Sequence, residues 1–188
     1  MRRDLFLLIT SLLFLALTIP CSAQEYELAP YAGGFFPGKF AGLIEVGKEG
    51  IYGVRGGIFL THNFEAEGQF GYISNLSFKD TLTRKKAYIW EGAATYNLGA
   101  RQKFYATFGI GEVTTTVSND ARALFDPSIL TSDRFLSLSY GGGIKALRRW
   151  GPFGYRADVR GRTLPSYYGF RFSWLEATAG PTFSWGER

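Results

Sequence analysis

The stretch FEAEGQFGY, residues 64–72, alternates strictly between two kinds of side chain. In an extended strand one face would carry the aromatic and small residues and the other face Glu65, Glu67 and Gln69, because successive side chains point to opposite sides. The pattern therefore predicts a half-buried β-strand, but it leaves open which face meets water. In a soluble sandwich the aromatic face would form the core, whereas in a membrane barrel it would face lipid and the carboxylates would lie inside.

The N-terminal segment MRRDLFLLITSLLFLALTIPCSAQEY predicts a secretory signal peptide. Basic residues precede an apolar run, and small residues follow it at a cleavage site after Ala23. We expect residues 1–23 to be removed and residues 24–188 to form one domain. Two alternatives stay open here: a transmembrane anchor, for which the apolar run is short, and a lipoprotein signal with the lipid on Cys21.

The composition of the remainder is typical of an all-β protein. The chain has 24 glycines, 17 % aromatic residues and a net charge of +5. After residue 23, no stretch reaches the roughly 18 apolar residues that a membrane-spanning helix needs. Short alternating segments separated by Gly, Asn, Asp and Pro are typical of strands and turns. Because the charge is small and the basic residues are spread out, a nucleic-acid partner is not expected.

Alternation and turn residues predict eight strands whose connections alternate in length. An even strand number, with short turns at one end and long loops at the other, is the layout of outer-membrane barrels. We therefore predict an all-β, eight-stranded antiparallel up-and-down transmembrane β-barrel with both termini on the periplasmic side. The strands are predicted near 25–36, 50–60, 64–73, 87–98, 102–116, 134–147, 153–163 and 172–185. The long loops are predicted at 37–49, 74–86, 117–133 and 164–171.

The charged faces of these strands are predicted to point into the barrel. In FGYRADVRGR, residues 153–162, arginines and an aspartate share one face, and aromatic, small and aliphatic residues share the other. Across the chain, aromatic residues lie near the ends of the apolar faces, which is typical of the girdles at the two membrane interfaces. The alternative is a soluble barrel with the same charges solvated outside. The predicted interior charges are Glu27, Arg55, Glu65, Glu67, Glu91, Lys145, Arg156, Asp158, Arg160, Arg162 and Glu176.

With strands and faces assigned, the chain resembles the eight-stranded outer-membrane β-barrel domain family typified by the OmpA transmembrane region and OmpX. The resemblance rests on YELAPYAGGFF (26–36), on YGVRGGIFLTHNFEAEGQFGY (52–72) and on the final strand, and it covers essentially the whole of 24–188. It implies a Gram-negative outer membrane location, a monomer surrounded by lipid and lipopolysaccharide, and no cofactor.

The final strand carries the pattern that in this family resembles the signal read by the barrel-insertion machinery. Gly180, Phe183 and Trp185 occupy its glycine, hydrophobic and aromatic positions. The sequence departs from the family at two points. Three residues follow Trp185, and Pro181 lacks the N–H that a strand ladder uses, which brings the pairing of this strand into question.

Few residues are available for catalysis or metal binding. Some small barrels are lipid A-modifying enzymes, and a serine hydrolase of that kind needs a base, usually a histidine. The single histidine, His62, lies in a predicted short turn, and the single cysteine lies in the signal peptide. No catalytic residue, cofactor or metal site is therefore predicted.

The function expected from the sequence is a structural or surface-interaction role carried by the extracellular loops. An eight-stranded barrel is just wide enough for its own side chains, so the charged interior would be a plug without a continuous pore. Lys79, Arg84, Lys85 and Lys86 in the second long loop would contact lipopolysaccharide phosphates or simply be solvated. The alternatives are a small-solute channel and a lipid A-modifying barrel enzyme.

Overall fold

Eight antiparallel strands close into a barrel in the computed structural model of this chain. The structure describes residues 25–40, 44–77, 84–98, 103–117 and 133–186. A separate two-stranded hairpin lies in the first long connection. In chain order the strands are β1 (Glu25–Pro37), β2 (Lys39–Phe40), β3 (Ile44–Glu45), β4 (Glu49–Phe59), β5 (Phe64–Ser77), β6 (Arg84–Leu98), β7 (Phe104–Val117), β8 (Asp133–Trp150), β9 (Phe153–Tyr167) and β10 (Phe170–Gly186).

The barrel strands follow one another in sequence order, and β10 pairs with β1 to close the sheet. The predicted eight-stranded up-and-down barrel is confirmed. Cross-strand partners followed once around the barrel from Tyr26 return to β1 at Phe36, ten residues further on. This stagger tilts the strands by about 40° from the barrel axis. We call the end where Glu25 pairs with Gly186 the terminal end, and the opposite end the loop end.

The outer face of the barrel is apolar, and large hydrophobic side chains point outward from every barrel strand. Aromatic residues lie toward both ends of this face, with Phe104 and Trp185 near the terminal end and Trp90 near the loop end. In residues 64–72, the side chain of Phe64 points outward and that of Glu65 points inward. An apolar outside around a charged inside is the pattern of a membrane barrel. No described helix is long and apolar enough to span a membrane.

Two long connections differ from the prediction. The second, expected at 74–86, is shorter, because β5 continues to Ser77 and β6 begins at Arg84. The fourth long loop, expected at 164–171, is a two-residue turn of Tyr168 and Gly169, whose φ angles are 48° and 84°. Two positive φ angles are typical of the tight turns that join twisted strands. Pro165 made this segment resemble a loop, but the strands continue past it because a register shift between Phe170 and Phe172 forms a bulge where proline is tolerated.

Pro181 does not end the final strand, which resolves the question raised by the sequence. It lies opposite Tyr155 in the continuous ladder between β10 and β9. On the other side of β10 the partners run from Leu28–Phe183 to Ala32–Ala179 without a change of register, so that Pro30 falls opposite Pro181. The two prolines share one place in the closing seam, and the missing N–H groups are thus confined to a single gap.

Candidate functional site

All eleven charged residues predicted for the interior lie inside the barrel, and none is more than 7 % exposed. Strand alternation explains this, because each of them sits on the inward face of its strand. Together with buried Glu25 and Gln69 they form a set that we call the polar layer. It fills the barrel from the terminal end to beyond the middle. The predicted eleven are Glu27, Arg55, Glu65, Glu67, Glu91, Lys145, Arg156, Asp158, Arg160, Arg162 and Glu176.

Arg160 is the most connected residue of the polar layer. Its Nη2 donates to Glu67 Oε1 at 2.7 Å, and its Nε donates to Asp158 Oδ1 at 3.1 Å. Its Nη1 donates to Gln69 Oε1 at 2.9 Å and to Glu91 Oε1 at 3.3 Å. One guanidinium therefore links β9 to β5 and β6 across the barrel. A planar fork with five donors suits this position in a way that a lysine would not.

Two further arginines share the same carboxylates. Arg55 Nη1 donates to Asp158 Oδ2 at 2.6 Å, and Arg156 Nη1 lies 2.6 Å from Glu67 Oε2. Tyr105 joins them, since its hydroxyl accepts from Arg156 Nε at 2.8 Å and donates to Asp158 Oδ2 at 2.8 Å. Sequence analysis missed Tyr105, although it has the same strand parity as the polar residue Thr107.

Arg162 lies at the upper boundary of the polar layer. Its Nε donates to Glu176 Oε1 at 2.8 Å, and its Nη1 donates to Glu91 Oε2. Trp174 Nε1 also donates to Glu176 Oε1, at 2.7 Å. The tryptophan ring itself packs with the apolar residues above. Trp174 therefore contacts both the charged and the apolar residues of the interior.

Near the terminal end the polar layer holds a lysine and three glutamates. Lys145 Nζ donates to Glu27 Oε2 at 3.1 Å and to Glu65 Oε2 at 2.5 Å. Glu25 Oε1 lies 3.2 Å from Arg148 Nε, and Arg148 Nη2 also donates to the carbonyl of Gly186. Arg148 thus joins the first and last strands of the barrel. Glu25 was missed in the sequence, although it shares the parity of Glu27.

The loop end of the interior is apolar, which corrects the prediction of a plug made of charged side chains alone. These residues, which we call the apolar layer, pack as one cluster around a residual cavity of only about 10 Å³. A cavity of this size is at the lower limit for holding one water molecule. The apolar layer consists of Phe35, Val46, Ile51, Ile73, Leu76, Ala87, Ile89, Val113, Leu164, Tyr167, Phe172 and Trp174.

Tyr31 lies where the two layers meet. Its ring packs under the Arg55 guanidinium, 4.0 Å from carbon Cζ to the ring centroid. Its hydroxyl accepts from Gln69 Nε2 at 2.8 Å and donates to the Phe70 carbonyl at 3.3 Å. The aromatic body and polar tip of tyrosine make it suited to such a boundary.

Inward-facing glycines provide the space for the long charged side chains. A Cβ atom added to Gly57 would lie 2.0 Å from Glu65 Oε1, and one added to Gly109 would lie 2.6 Å from Glu91 Cδ. By contrast, a Cβ atom added to outward-facing Gly92 would meet nothing within 4 Å. Glu65 and Glu91 can thus each lie close against a neighbouring strand only because that strand carries glycine at the point of contact.

Above the apolar layer, a polar cluster ties the β9–β10 turn to two other strands. Lys85 Nζ donates to the Tyr168 hydroxyl at 2.5 Å, and this hydroxyl donates to Asp133 Oδ2. The Tyr168 ring contacts Phe135 at 5.0 Å between centroids. Partial burial and the bond to Asp133 raise the pKa of Tyr168 to about 12. Lys85, predicted in the second long loop as a lipopolysaccharide contact or a solvated residue, therefore lies on β6 instead and already has a partner.

The other predicted lipopolysaccharide contacts lie in different settings. Lys86 is half-buried and pairs across strands with Thr116. Lys79 and the side chain of Arg84 lie outside the described residues. The structure adds one basic residue that sequence analysis did not single out, since Arg134 points outward on β8 and its Nε lies 3.7 Å from Glu112 Oε1. Its parity with the outward-facing residues of β8 is the signal that could have identified it.

The residues of the predicted insertion signal lie on both faces of β10. Phe183 and Trp185 point outward with their rings 5.5 Å apart. Gly180 faces inward, where a Cβ atom would lie 1.9 Å from the Pro30 carbonyl oxygen. Their role in assembly stays a prediction. His62 lies in an exposed turn, and the described residues contain no cluster of three or more His, Cys, Asp or Glu side chains that could hold a metal.

Comparisons with known proteins agree with this architecture. The sequence profile of the outer membrane protein beta-barrel domain family matches residues 9–174. Neisserial surface protein A superposes with a TM-score of 0.61 at 13 % identity, covering 85 % of this chain and 96 % of that one. The N-terminal β-barrel domain of Pseudomonas aeruginosa OprF superposes with a TM-score of 0.53 at 16 % identity, covering 87 % and 100 %.

A third solved structure is that of Ail, the attachment invasion locus protein of Yersinia pestis, in complex with the heparin analogue sucrose octasulfate. It superposes with a TM-score of 0.50 at 14 % identity, covering 86 % of this chain and 99 % of that one. At these identities the likeness concerns the fold. No curated protein matches the sequence.

Proposed function

Because this chain belongs to the outer membrane protein beta-barrel domain family, we propose that it is a surface-interaction protein that works through its loop end. In this proposal the loop end is extracellular, as the longer loops of such barrels are. One observation carries the proposal. The interior is filled by the polar layer and then by the apolar layer, so the described residues leave a molecule no ready path through it. A structural or binding role is then favoured over a channel.

The partner we propose is the lipopolysaccharide around the barrel. Lys86 and Arg134 lie on the outer face near the loop end, on the strands that flank β7. Trp90 is exposed on the same face and would sit at the membrane interface. Basic side chains beside an interfacial aromatic suit the phosphates of lipid A, and each would contribute about 1 kcal/mol near such a charged surface.

The structure of Ail with a sulfated sugar analogue supports a polyanionic ligand for this kind of barrel. Sulfates and phosphates share negative charge, and both attract the same basic groups. We further propose that the protein is a monomer, that the insertion machinery reads its last strand during assembly, and that it has no nucleic-acid partner.

The test compares the double variant Lys86→Ala, Arg134→Ala with a control at the opposite end, Lys103→Ala, Arg149→Ala. Both pairs remove two cations, and Lys103, Arg134 and Arg149 are exposed. Wild-type protein should unfold at higher denaturant concentration in vesicles that contain lipopolysaccharide than in those without. The loop-end variant should lose most of this gain, roughly a 30-fold weaker association for about 2 kcal/mol. The control should keep it.

Two results would contradict the proposal. One is an equal gain for both double variants, which would mean that lipopolysaccharide does not use the loop-end cations. The other is a steady single-channel conductance in planar bilayers, which would favour the small-solute channel instead.

A further inference from the structure

The charges of the polar layer balance in its middle but not near the terminal end. The middle contains four arginines and four carboxylates, namely Arg55, Arg156, Arg160 and Arg162 with Glu67, Glu91, Asp158 and Glu176. Near the terminal end, the described residues place three carboxylates against two cations. Arg148 pairs with Glu25, which leaves Lys145 between Glu27 and Glu65. One lysine cannot neutralise two buried carboxylates.

The surplus negative charge falls on Glu65 rather than on Glu27. Glu27 has a second cation, because its Oε1 lies 3.4 Å from Arg156 Nη1. Among the described residues, the Oε1 atom of Glu65 has no hydrogen-bond partner, and it is buried on the side of the carboxylate that faces Gly57. The side chain of Asn97 is buried beside it, with Nδ2 3.5 Å from Glu65 Oε2. The Oδ1 atom of Asn97 likewise finds no hydrogen-bond partner in the part of the chain that the structure describes.

The other groups around Glu65 do not remove the surplus. Within the described ranges, the charged residues that act on it are Lys145, Glu27, Glu67 and Arg156. Arg156 lies 2.6 Å from Glu67 Oε2 and 3.4 Å from Glu27 Oε1, so these two carboxylates already share its charge. Lys103, whose carbonyl accepts the amide of Lys145, has an exposed side chain. Glu65 shares its one cation, Lys145, with Glu27, so part of its buried charge is uncompensated. Uncompensated buried charge is strongly disfavoured, so the native state gains from binding a positive charge at this point.

We propose that the barrel binds one additional positive charge at Glu65, beside Asn97, and that this charge stabilises the folded state. The ligand is a small cation that a carboxylate oxygen can bind. It is either a proton on Oε1 or a monovalent metal ion such as sodium. The site is independent of the proposed lipopolysaccharide contacts, since it lies inside the barrel near the terminal end.

The experiment measures unfolding in vesicles as a function of pH at fixed sodium, and of sodium at fixed pH with choline as the replacement ion. If a proton is bound, the folded chain keeps a proton that the unfolded glutamate loses above about pH 4.3. The unfolding equilibrium constant should then rise by up to about tenfold per pH unit above that value. If sodium is bound, the constant should fall by up to about tenfold for each tenfold rise in sodium.

Glu65→Gln and Glu67→Gln form the matched pair of variants. Both change a buried glutamate on the inward face of β5. Glu65→Gln imitates the neutral acid, so it should remove the pH or sodium dependence seen in the wild type and leave stability at neutral pH the same or higher. Glu67→Gln should keep the dependence and lower stability at every pH, because Arg156 and Arg160 lose a carboxylate oxygen partner.

Infrared spectroscopy separates the two ligands independently of unfolding. A bound proton predicts the carbonyl band of a protonated acid in the wild type at neutral pH, which Glu65→Gln abolishes. If Glu65→Gln does not fold, the pH or sodium dependence of wild-type unfolding and the wild-type carbonyl band still test the proposal. The proposal is overturned if the wild type shows neither dependence, or if Glu67→Gln removes the dependence as fully as Glu65→Gln.

Discussion

The polar layer and the apolar layer fill the same barrel with opposite chemistry. In the polar layer, buried arginines reach across the barrel to carboxylates on other strands, as Arg160 reaches Glu67. In the apolar layer, side chains such as Leu164 and Phe172 exclude water by packing. Both layers satisfy the one demand of a narrow barrel, which is that inward side chains fill it. They differ in what a lost side chain leaves behind. In the polar layer it leaves an uncompensated charge, and in the apolar layer it leaves an empty volume.

The positions of the two layers give them different tasks. The polar layer connects opposite strands in the part of the barrel enclosed by the apolar outer face, and so braces the wall from within. The apolar layer lies at the loop end, where Val46 from the first long connection packs into it. It separates the ion pairs from the solvent on that side. Low-dielectric surroundings strengthen ion pairs that are fully matched.

The replacement Arg160→Ala is expected to have the largest effect. It removes the shared partner of Glu67, Glu91 and Asp158, and buried charges left without a partner typically cost about 3–5 kcal/mol. The free energy of unfolding in lipid vesicles, measured by denaturant titration, should fall by that amount. The matched control is Arg134→Ala, whose ion pair with Glu112 is exposed and should be worth about 0–1 kcal/mol. Equal losses for the two variants would show that the polar layer carries no special share of stability.

A cavity in the apolar layer should cost somewhat less. Leu164→Ala removes a side chain that is 1 % exposed and lines the small residual cavity. Buried leucine-to-alanine replacements typically cost about 2–5 kcal/mol, and the cost grows with the volume left empty. Leu175→Ala on the outer face is the control, because lipid can fill the space that it leaves. If the outer replacement proved as costly as the inner one, the apolar layer would not be a packed core.

Added volume tests the polar layer from the other direction. In Gly109→Ala, the new Cβ atom would meet both Glu91 and Ser139 at 2.6 Å. Overpacking of a filled interior typically costs about 1–3 kcal/mol. Gly92→Ala on the outer face adds the same methyl group where nothing lies within 4 Å, and should change the free energy of unfolding by less than about 0.5 kcal/mol. A tolerated Gly109→Ala would mean that the polar layer has unfilled space.

Period-two alternation made the inside and outside of the barrel predictable, because one residue of slip would exchange the two faces. It could not predict which partners meet. Arg55 and Asp158 are 103 positions apart, and their contact depends on the ten-residue stagger of the closed sheet. That stagger follows from the register of all eight strands together and not from any one of them.

Alternation is less informative where both faces are apolar or where a bulge intervenes. Tyr88 and Trp90 point outward, but Ile89 between them points into the apolar layer. Alternation from Glu91 puts Ile89 on the inward face, but it does not show that such inward apolar residues from several strands meet in one cluster, so the apolar layer was not predicted. Between Leu164 and Tyr167 the bulge places two buried residues three positions apart. This interrupts the period of two, and for that reason the strand segment resembled a loop in the sequence.

The smallest effect is expected at the rim, outside both layers, for Tyr168→Phe. The variant keeps the ring against Phe135 but loses the hydroxyl that joins Lys85 to Asp133. A hydrogen bond of this kind is worth about 1 kcal/mol at neutral pH.

The pKa of Tyr168, raised to about 12 from 10, adds a pH signature. The folded state holds the phenol proton that the unfolded state loses above pH 10, so this contribution is complete below pH 10 and is lost as the pH rises toward 12. The advantage of the wild type over Tyr168→Phe in denaturant titrations should therefore decline as the pH rises above 10. An advantage that grew above pH 10 would mean that the hydroxyl binds its neighbours as the phenolate, and that the rim is held by charge as the polar layer is.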